Sequence, residues 1–326
     1  MIFGRMLKSP DVVVAIVATV AFLAPTMASE KVPAQSDTPA ADLMVGNESG
    51  QVRDDNDPKM KFVWCSPGLF AIESFERRAV AVVEKAPLSD DDAEEQPVRD
   101  AEDIETFTPT KAFLTRGYWL GKYEVTQAEW KHVMGVGPWT DDAYIQFVKI
   151  GDDFPAAYVT WKNAMKFCQT LTERERAAGR LPPSWEYALP TEAQWVRACR
   201  ARTETQFSFG DDKSNLGAYA WFDASAWLIG EPFAHRVGQK KPNPWGLYDM
   251  YGNVSEWCRD EYSEKPRGGR DPEFRSLGSR PVCRGGGYLS DASSCRAGRD
   301  VPELAAPDIG FRVGLVPIRA EKPVTK

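Results

Sequence analysis

Histidine is almost missing from this chain: its 326 residues include two, His132 and His235, 103 positions apart. That excludes a three-imidazole metal site within one chain and any His-Glu-x-x-His motif. Gly-x-Ser-x-Gly, a phosphate loop and Cys-x-x-Cys are missing too, so no familiar hydrolase, nucleotide or dithiol signature is present. No basic run offsets the formal charge of −7, which argues against nucleic acid as a partner. Neither internal repeats nor a doubly wound βαβ pattern is visible. The apolar run near the start, Val12–Ala24, is too short to span a membrane comfortably.

That run fits export instead. Arg5 and Lys8 precede it, and Thr26-Met27-Ala28 ends in the small residues a signal peptidase needs, so residues 1–28 read as a signal peptide. No Cys follows, which argues against a lipoprotein anchor; the alternative is an uncleaved membrane anchor. The mature protein is expected to be periplasmic or secreted. Export makes the six Cys (65, 168, 199, 258, 283 and 295) disulfide candidates, with connectivity unreadable from sequence.

With 43% apolar and 11% aromatic residues the chain has material for one large core, and its eleven Trp are expected in the core or as pocket walls. Residues 29–58 read as a solvated linker that cannot bury enough to order itself. Residues 85–106 read as an acidic, solvated insertion. Three helices are predicted. Thr126-Gln127-Ala128-Glu129 is a capping box for one that runs to Met134 and ends at Gly135. A second begins near Trp161, with Ala164, Phe167, Cys168 and Leu171 on one face; a third starts at Thr191, with Gln194 three residues on. Short β-like runs (Tyr118–Val125, Phe311–Pro317) alternate with Gly- and Pro-rich turns. The class is α+β with much irregular backbone.

Asn243–Glu256, NPWGLYDMYGNVSE, is too irregular for one helix or strand. It reads either as a tight turn packing its aromatics or as a cation site. In the second case the carbonyls of Tyr251, Gly252 and Val254 and the Glu256 carboxylate would be ligands. This segment, with GYWLGKYEVTQAEWKHVMG (117–135), FPAAYVTWKNAMKFC (154–168), YALPTEAQWVRACRA (187–201), FSFGDD (207–212), CRGGGY (283–288), CRAGR (295–299) and IGFRV (309–313), resembles the formylglycine-generating-enzyme, or sulfatase-modifying-factor, family. The motifs occur in the family's order over residues 59–318, leaving 319–326 as a tail. The resemblance implies a fold distantly related to the C-type-lectin-like fold.

It also implies where chemistry is expected. The family's oxidases hold Cu(I) between two thiolates, and hydroxyls cannot replace those soft ligands. Here Ser290 occupies the first thiolate position, and Gly287 replaces an active-site Ser. Cys295 is the second copper Cys on an ungapped reading and a structural Cys on the preferred gapped one, where the resemblance pairs it with Cys199 in a disulfide. The family partner of Cys168 falls at Val313, and Cys258 and Cys283 are candidates for a second bridge. Copper is thus not expected and any redox metal is unknown. The iron-dependent sulfoxide-synthase branch needs three imidazoles, which two His cannot supply. A siderophore-maturing periplasmic branch lacks the copper pair; in that case Tyr288, Ser290, Asp291 and Arg299 would line a pocket with Trp257 as a wall. The resemblance makes the Tyr251–Glu256 site a structural calcium position. A second calcium site at Asn215-Leu216 finds no Asp near Ile229 to complete it. The expected function is an exported oxidoreductase or maturation factor acting on a protein or small molecule without the copper pair. The alternative is a non-catalytic module binding protein or glycan.

Overall fold

A computed structural model of the chain describes residues 44–80, 102–141, 145–263, 265–276, 280–297 and 304–319. Its centre is a five-stranded antiparallel sheet, in the order β1 (Val52–Arg53), β2 (Phe62–Cys65), β5 (Tyr118–Gly121), β11 (Gly314–Pro317), β6 (Trp185–Ala188). The central strands carry no polar–apolar alternation because both of their faces are covered. Phe62, Trp64, Trp119 and Leu315 face one apolar cluster; Val63, Cys65, Tyr118, Leu120 and Val316 face another. Period-two side-chain geometry thus divides two cores with one sheet.

The helices cover these cores. In α1 (Gln127–Met134) Thr126 Oγ1 accepts from Glu129 N and Glu129 accepts from Thr126 N, the capping box expected from the sequence. In α2 (Trp161–Ala177), capped by Thr160, the residues Ala164, Phe167, Cys168 and Leu171 are buried against the first cluster. There Phe167 stacks on Trp130 at 5.7 Å and meets Phe311 edge-on at 5.3 Å. In α3 (Glu192–Arg200), boxed by Thr191 and Gln194, every residue from Glu192 to Cys199 is buried, so this helix is a core element rather than an amphipathic cover.

Two further sheets flank this body. β7 (Ser255–Glu261) pairs with β9 (Pro281–Arg284) and, in parallel, with β10 (Ile309–Gly310). β3 (Gly68–Val80) and β4 (Glu102–Leu114) form a thirteen-pair antiparallel hairpin whose base is joined by β8 (Gly269–Arg270). Short α4 (Ala292–Ala297) follows the glycine loop after β9.

The structure corrects four expectations. Residues 44–58 are part of the domain, not linker: Trp119 Nε1 donates to Met44 O at 2.7 Å, β1 joins the sheet, and Asn56 brackets Met60 with two hydrogen bonds. Of the acidic insertion, 85–101 lies outside the described residues, while 102–106 belongs to β4. The β-like runs at 118–125 and 311–317 shorten to β5 and β11; beyond them only single backbone bonds join the two runs, from Gly121 N to Val313 O and from Val125 N to Phe311 O. Cys199 and Cys295 are both free, buried thiols rather than a disulfide. Cys199 Sγ turns to the carbonyl of Met250, and burial pushes its ionisation up to about 11, so both sulfurs serve as apolar packing.

One ion pair ties these pieces together. Arg312, just after β10, and Glu256 of β7 are both fully buried. Arg312 Nη2 donates to Glu256 Oε1 at 2.5 Å and Nε to Oε2 at 2.6 Å, a bidentate fork. Two further guanidinium donors reach Gly121 O and Tyr248 O, each at 3.0 Å. Trp195 Nε1 of α3 completes Glu256 at 2.6 Å. Beside them sit two more buried carboxylates, Glu124 and Asp249. Burial, then the charges of Asp249 and Glu256, push Glu124 well above the usual carboxylate range. Burial likewise pushes Asp249 up to about 6, against the bond from Gly238 N.

Three measurements check this reading. Arg312→Met strands a buried carboxylate and should cost ~3–5 kcal/mol in denaturant unfolding, while the Glu256→Gln/Arg312→Met double variant should cost less than the two single losses summed. Asp249 binds its proton more tightly when folded, so it favours the folded state at low pH. That contribution should fall as pH rises from ~4, the unfolded carboxyl value, to about 6, and a stability–pH curve for Asp249→Asn should lack this slope. Unfolded without reductant, Cys199 and Cys295 should both alkylate; peptide mapping that finds either in a disulfide contradicts the assignment.

Candidate functional site

The glycine loop between β9 and α4 is shaped by backbone that only glycine tolerates well. Gly285 and Gly286 have φ of 94° and 67°, and a Cβ on Gly287 would lie 2.8 Å from the Asp308 side chain. The loop therefore lies flat on the segment before β10. Its polar side chains serve its own shape: Ser290 Oγ accepts from Gly287 N at 2.9 Å, and Asp291 Oδ1 accepts from Ser294 N at 2.7 Å at the start of α4.

The five pocket residues expected from sequence do not converge. Ser290 and Asp291 lie at the rim of this loop, half-buried. Tyr288 points inward, its N–H bonded to Asn253 O at 2.9 Å, and burial pushes its phenol up. Trp257 is a core strut, donating to Val159 O at 2.7 Å, not a wall. Arg299 lies outside the described residues. What the fold does bring together is Ser290 and Cys295: a Cβ on Gly286 would lie 3.0 Å from Ser290 Cβ and 3.1 Å from Cys295 Sγ. The pair is a hydroxyl and a thiol. Burial, then the charges of Asp291 and Asp223, holds that thiol well above its ordinary range, which disfavours the thiolate copper needs. These residues do not fit Cu(I).

Nor does Glu256 fit calcium as arranged. Both of its oxygens are taken by Arg312 and Trp195, and a dication would sit against a guanidinium. Around it, Tyr251 accepts from Ser208 N through its hydroxyl and Val254 N donates to Glu124. Gly252 is pressed on Trp221 O, which a Cβ would approach to 2.1 Å. At Asn215-Leu216, the family's second calcium position, Asn215 donates to Asp212, the cap of its own turn, and Leu216 is buried. Among the described residues no three His, Cys, Asp or Glu side chains are grouped to hold a metal ion.

Sequence reasoning missed the surface beside the loop. Asp223 N bonds Ser290 O at 3.0 Å, joining the glycine loop to the irregular segment 219–238. There Trp221 stacks on His235 at 3.6 Å, with Lys240 Nζ 3.7 Å from the Trp221 ring centre. His235 shares a 2.6 Å bond with Glu231; burial lowers its pKa, partly opposed by that carboxylate. His132 is far more exposed, paired with Asp57 at 3.0 Å. Beyond this stack Trp227, Leu228 and Ile229 stand out at 52%, 69% and 62% exposure. Lys149, between exposed Phe147 and Ile150, lies 5.2 Å from the ring of Phe233 and adds its charge near Glu231. The available signal was the consecutive Trp-Leu-Ile before Gly230, an apolar triplet inside a turn-rich stretch.

Comparison with known proteins sets this site in context. A family profile described as the sulfatase-modifying factor enzyme 1-like domain matches residues 50–315. The chain is 28% identical over 244 residues to the chaperone protein LppX of Paenibacillus barcinonensis, covering 60% of this chain and 79% of that one. It is 27% identical over 188 residues to the formylglycine-generating enzyme of Thermomonospora curvata, covering 50% of this chain and 56% of that enzyme, little more than half its length. The solved structure of PvdO from Pseudomonas aeruginosa aligns with a TM-score of 0.59 at 20% identity, over 83% of this chain and 99% of PvdO, a likeness of fold alone. The profile match spans most of the chain, and the chain belongs to the sulfatase-modifying-factor family of formylglycine-generating-enzyme-like domains.

Proposed function

We propose that this chain is an exported maturation factor that holds a polypeptide client on the loop face around Ser290 and does not make formylglycine. The observation that carries this is the exposed triplet Trp227-Leu228-Ile229, joined to the Ser290 loop through the Asp223–Ser290 bond. Contiguous exposed apolar side chains on a folded surface mark contact sites, because leaving them in water costs free energy that a partner recovers. Trp in particular supplies large contact area with few rotors to freeze. Glu231, near the triplet in sequence, and the Lys149 charge that acts on it add both signs to this part of the surface. Such a face suits unfolded segments of mixed sequence better than one small molecule. The similarity to a protein named as a chaperone supports the same direction.

Against oxidase chemistry stands the residue pair at Gly286, a hydroxyl and a thiol that resists ionisation. The reading is tested in two arms. A reduced and alkylated, permanently unfolded polypeptide should bind the protein, and Trp227→Ser/Leu228→Ser should weaken that binding roughly tenfold or more while leaving the circular dichroism unchanged. A Cys-x-Pro-x-Arg peptide incubated with the protein, copper and oxygen should keep its thiol. Unchanged binding by the double variant removes the proposed client face, and formylglycine in the peptide would establish an oxidase instead.

A further inference from the structure

The hairpin base carries a second surface. Leu69 of β3 lies directly opposite Phe113 of β4, and Phe113 directly opposite Arg270 of β8. Residues opposite one another in a sheet share a face, so the three form one row across it. The row faces outward: Leu69 is 65% exposed, Phe113 41%, and Arg270 is exposed. Their chain neighbours face the other way, with Ile72, Ala112 and Leu114 buried in the core and Phe70 packed against it. Two residues along β4 on the same outward face stands Lys111, also exposed, its carbonyl 2.6 Å from where a Cβ on Gly268 would lie.

The stretch that supplies Arg270 is mainly basic beyond Asp260, Glu261 and Glu264, which directly precede it. Residues 265–281 contain Lys265, Arg267, Arg270, Arg275 and Arg280 against two acids, Asp271 and Glu273. Both acids are engaged within the fold. Asp271 accepts from Thr115 N and Oγ1 at 2.7 and 2.6 Å; Glu273 is held by Arg259, Arg275 and Arg319 at 2.9, 2.8 and 3.2 Å. Lys111, Lys265, Arg267 and Arg270 have no acidic partner among the described residues, and Arg267 lies 4.6 Å from the ring of Phe274. A cationic edge with an apolar pair at its centre is unusual on a chain whose net charge is −7.

We infer that the outward face of the β3–β4–β8 sheet docks the protein on an anionic lipid surface, Leu69 and Phe113 entering the headgroup layer and Lys111, Lys265, Arg267 and Arg270 contacting lipid phosphates. Charge complementarity selects the partner. At physiological salt the field of a charge reaches ~8 Å, so this local cationic edge, not the distant acidic remainder, meets the surface. Footprint selects lipid over an acidic protein: stable protein contacts bury roughly 800 Å² on each partner, and two apolar side chains on a flat sheet face do not supply an apolar centre for that. A bilayer needs no such complementarity.

Co-sedimentation with phosphatidylcholine vesicles, alone or with about three parts in ten phosphatidylglycerol, tests this on the full chain. Variants are compared in the same full-length background, so any contribution of the 12–24 run cancels. The protein should bind the anionic vesicles more tightly than the neutral ones, and less tightly as salt rises. Arg267→Glu/Arg270→Glu and, separately, Leu69→Ser/Phe113→Ser should each weaken that binding roughly tenfold or more. All four side chains are exposed, so circular dichroism should be unchanged. Equal binding to both vesicle types, or variants that bind like the parent, overturns the inference. Anionic binding that survives Leu69→Ser/Phe113→Ser but not the charge reversal also overturns it, leaving a site for a soluble polyanion. Neither pair of substitutions touches Trp227 or Leu228, so client binding reports on the other face separately.

Discussion

The Arg312–Glu256 pair is the constraint on which the rest of the fold depends. Its atoms join β7, the turn after β10, the end of β5, Tyr248 and, through Trp195, α3. A buried ion pair is weak evidence of net stability, because desolvating two charges offsets much of their attraction. Its effect here is on arrangement. Each charge is tolerable only while the other is in place, so the segments carrying them cannot shift independently. Glu124 and Asp249 bring two more acidic groups into the same interior. Burial and repulsion between the carboxylates raise their pKa values and limit the charge they add, and backbone donors such as Val254 N and Gly238 N satisfy their oxygens.

The same constraint orders the surface. Asn253 accepts from His235 N and donates to Glu124, so the irregular segment 219–238 is anchored to the buried charges. That segment in turn carries the glycine loop through Asp223 and displays Trp227, Leu228 and Ile229. A rigid interior thus supports two exposed faces of different character, one mixed in charge and broad, the other cationic and narrow. The glycine loop between β9 and α4 keeps its shape with its own hydroxyl and carboxylate, so its polar side chains are spent on geometry.

Much of the fold was legible before any coordinates. Thr126 with Glu129 and Thr191 with Gln194 announce helix starts because capping is local, settled within four residues. The face of α2 is likewise readable, since Ala164, Phe167, Cys168 and Leu171 repeat at helical spacing. Residues 44–58 were misread for the opposite reason. Their composition is polar, and what orders them is a strand pairing and the bond from Trp119 to Met44, partners far along the chain. The β3–β4 hairpin was missed because its strands pair across the acidic run 85–106, which overlaps the start of β4, so the partners are not neighbours in sequence.

The candidate site divides the same way. Sequence alone determined that two imidazoles cannot make a three-His centre and that the motifs of one family run through most of the chain. Those are statements about which atoms exist. Only the tertiary structure decided what each atom faces: that Glu256 meets a guanidinium, that Cys199 and Cys295 remain thiols, that Trp257 and Tyr288 point inward, and that Leu69, Phe113 and Arg270 share one outward row. Charge compensation and exposure arise between residues tens to hundreds of positions apart, and no local pattern encodes which of them will meet.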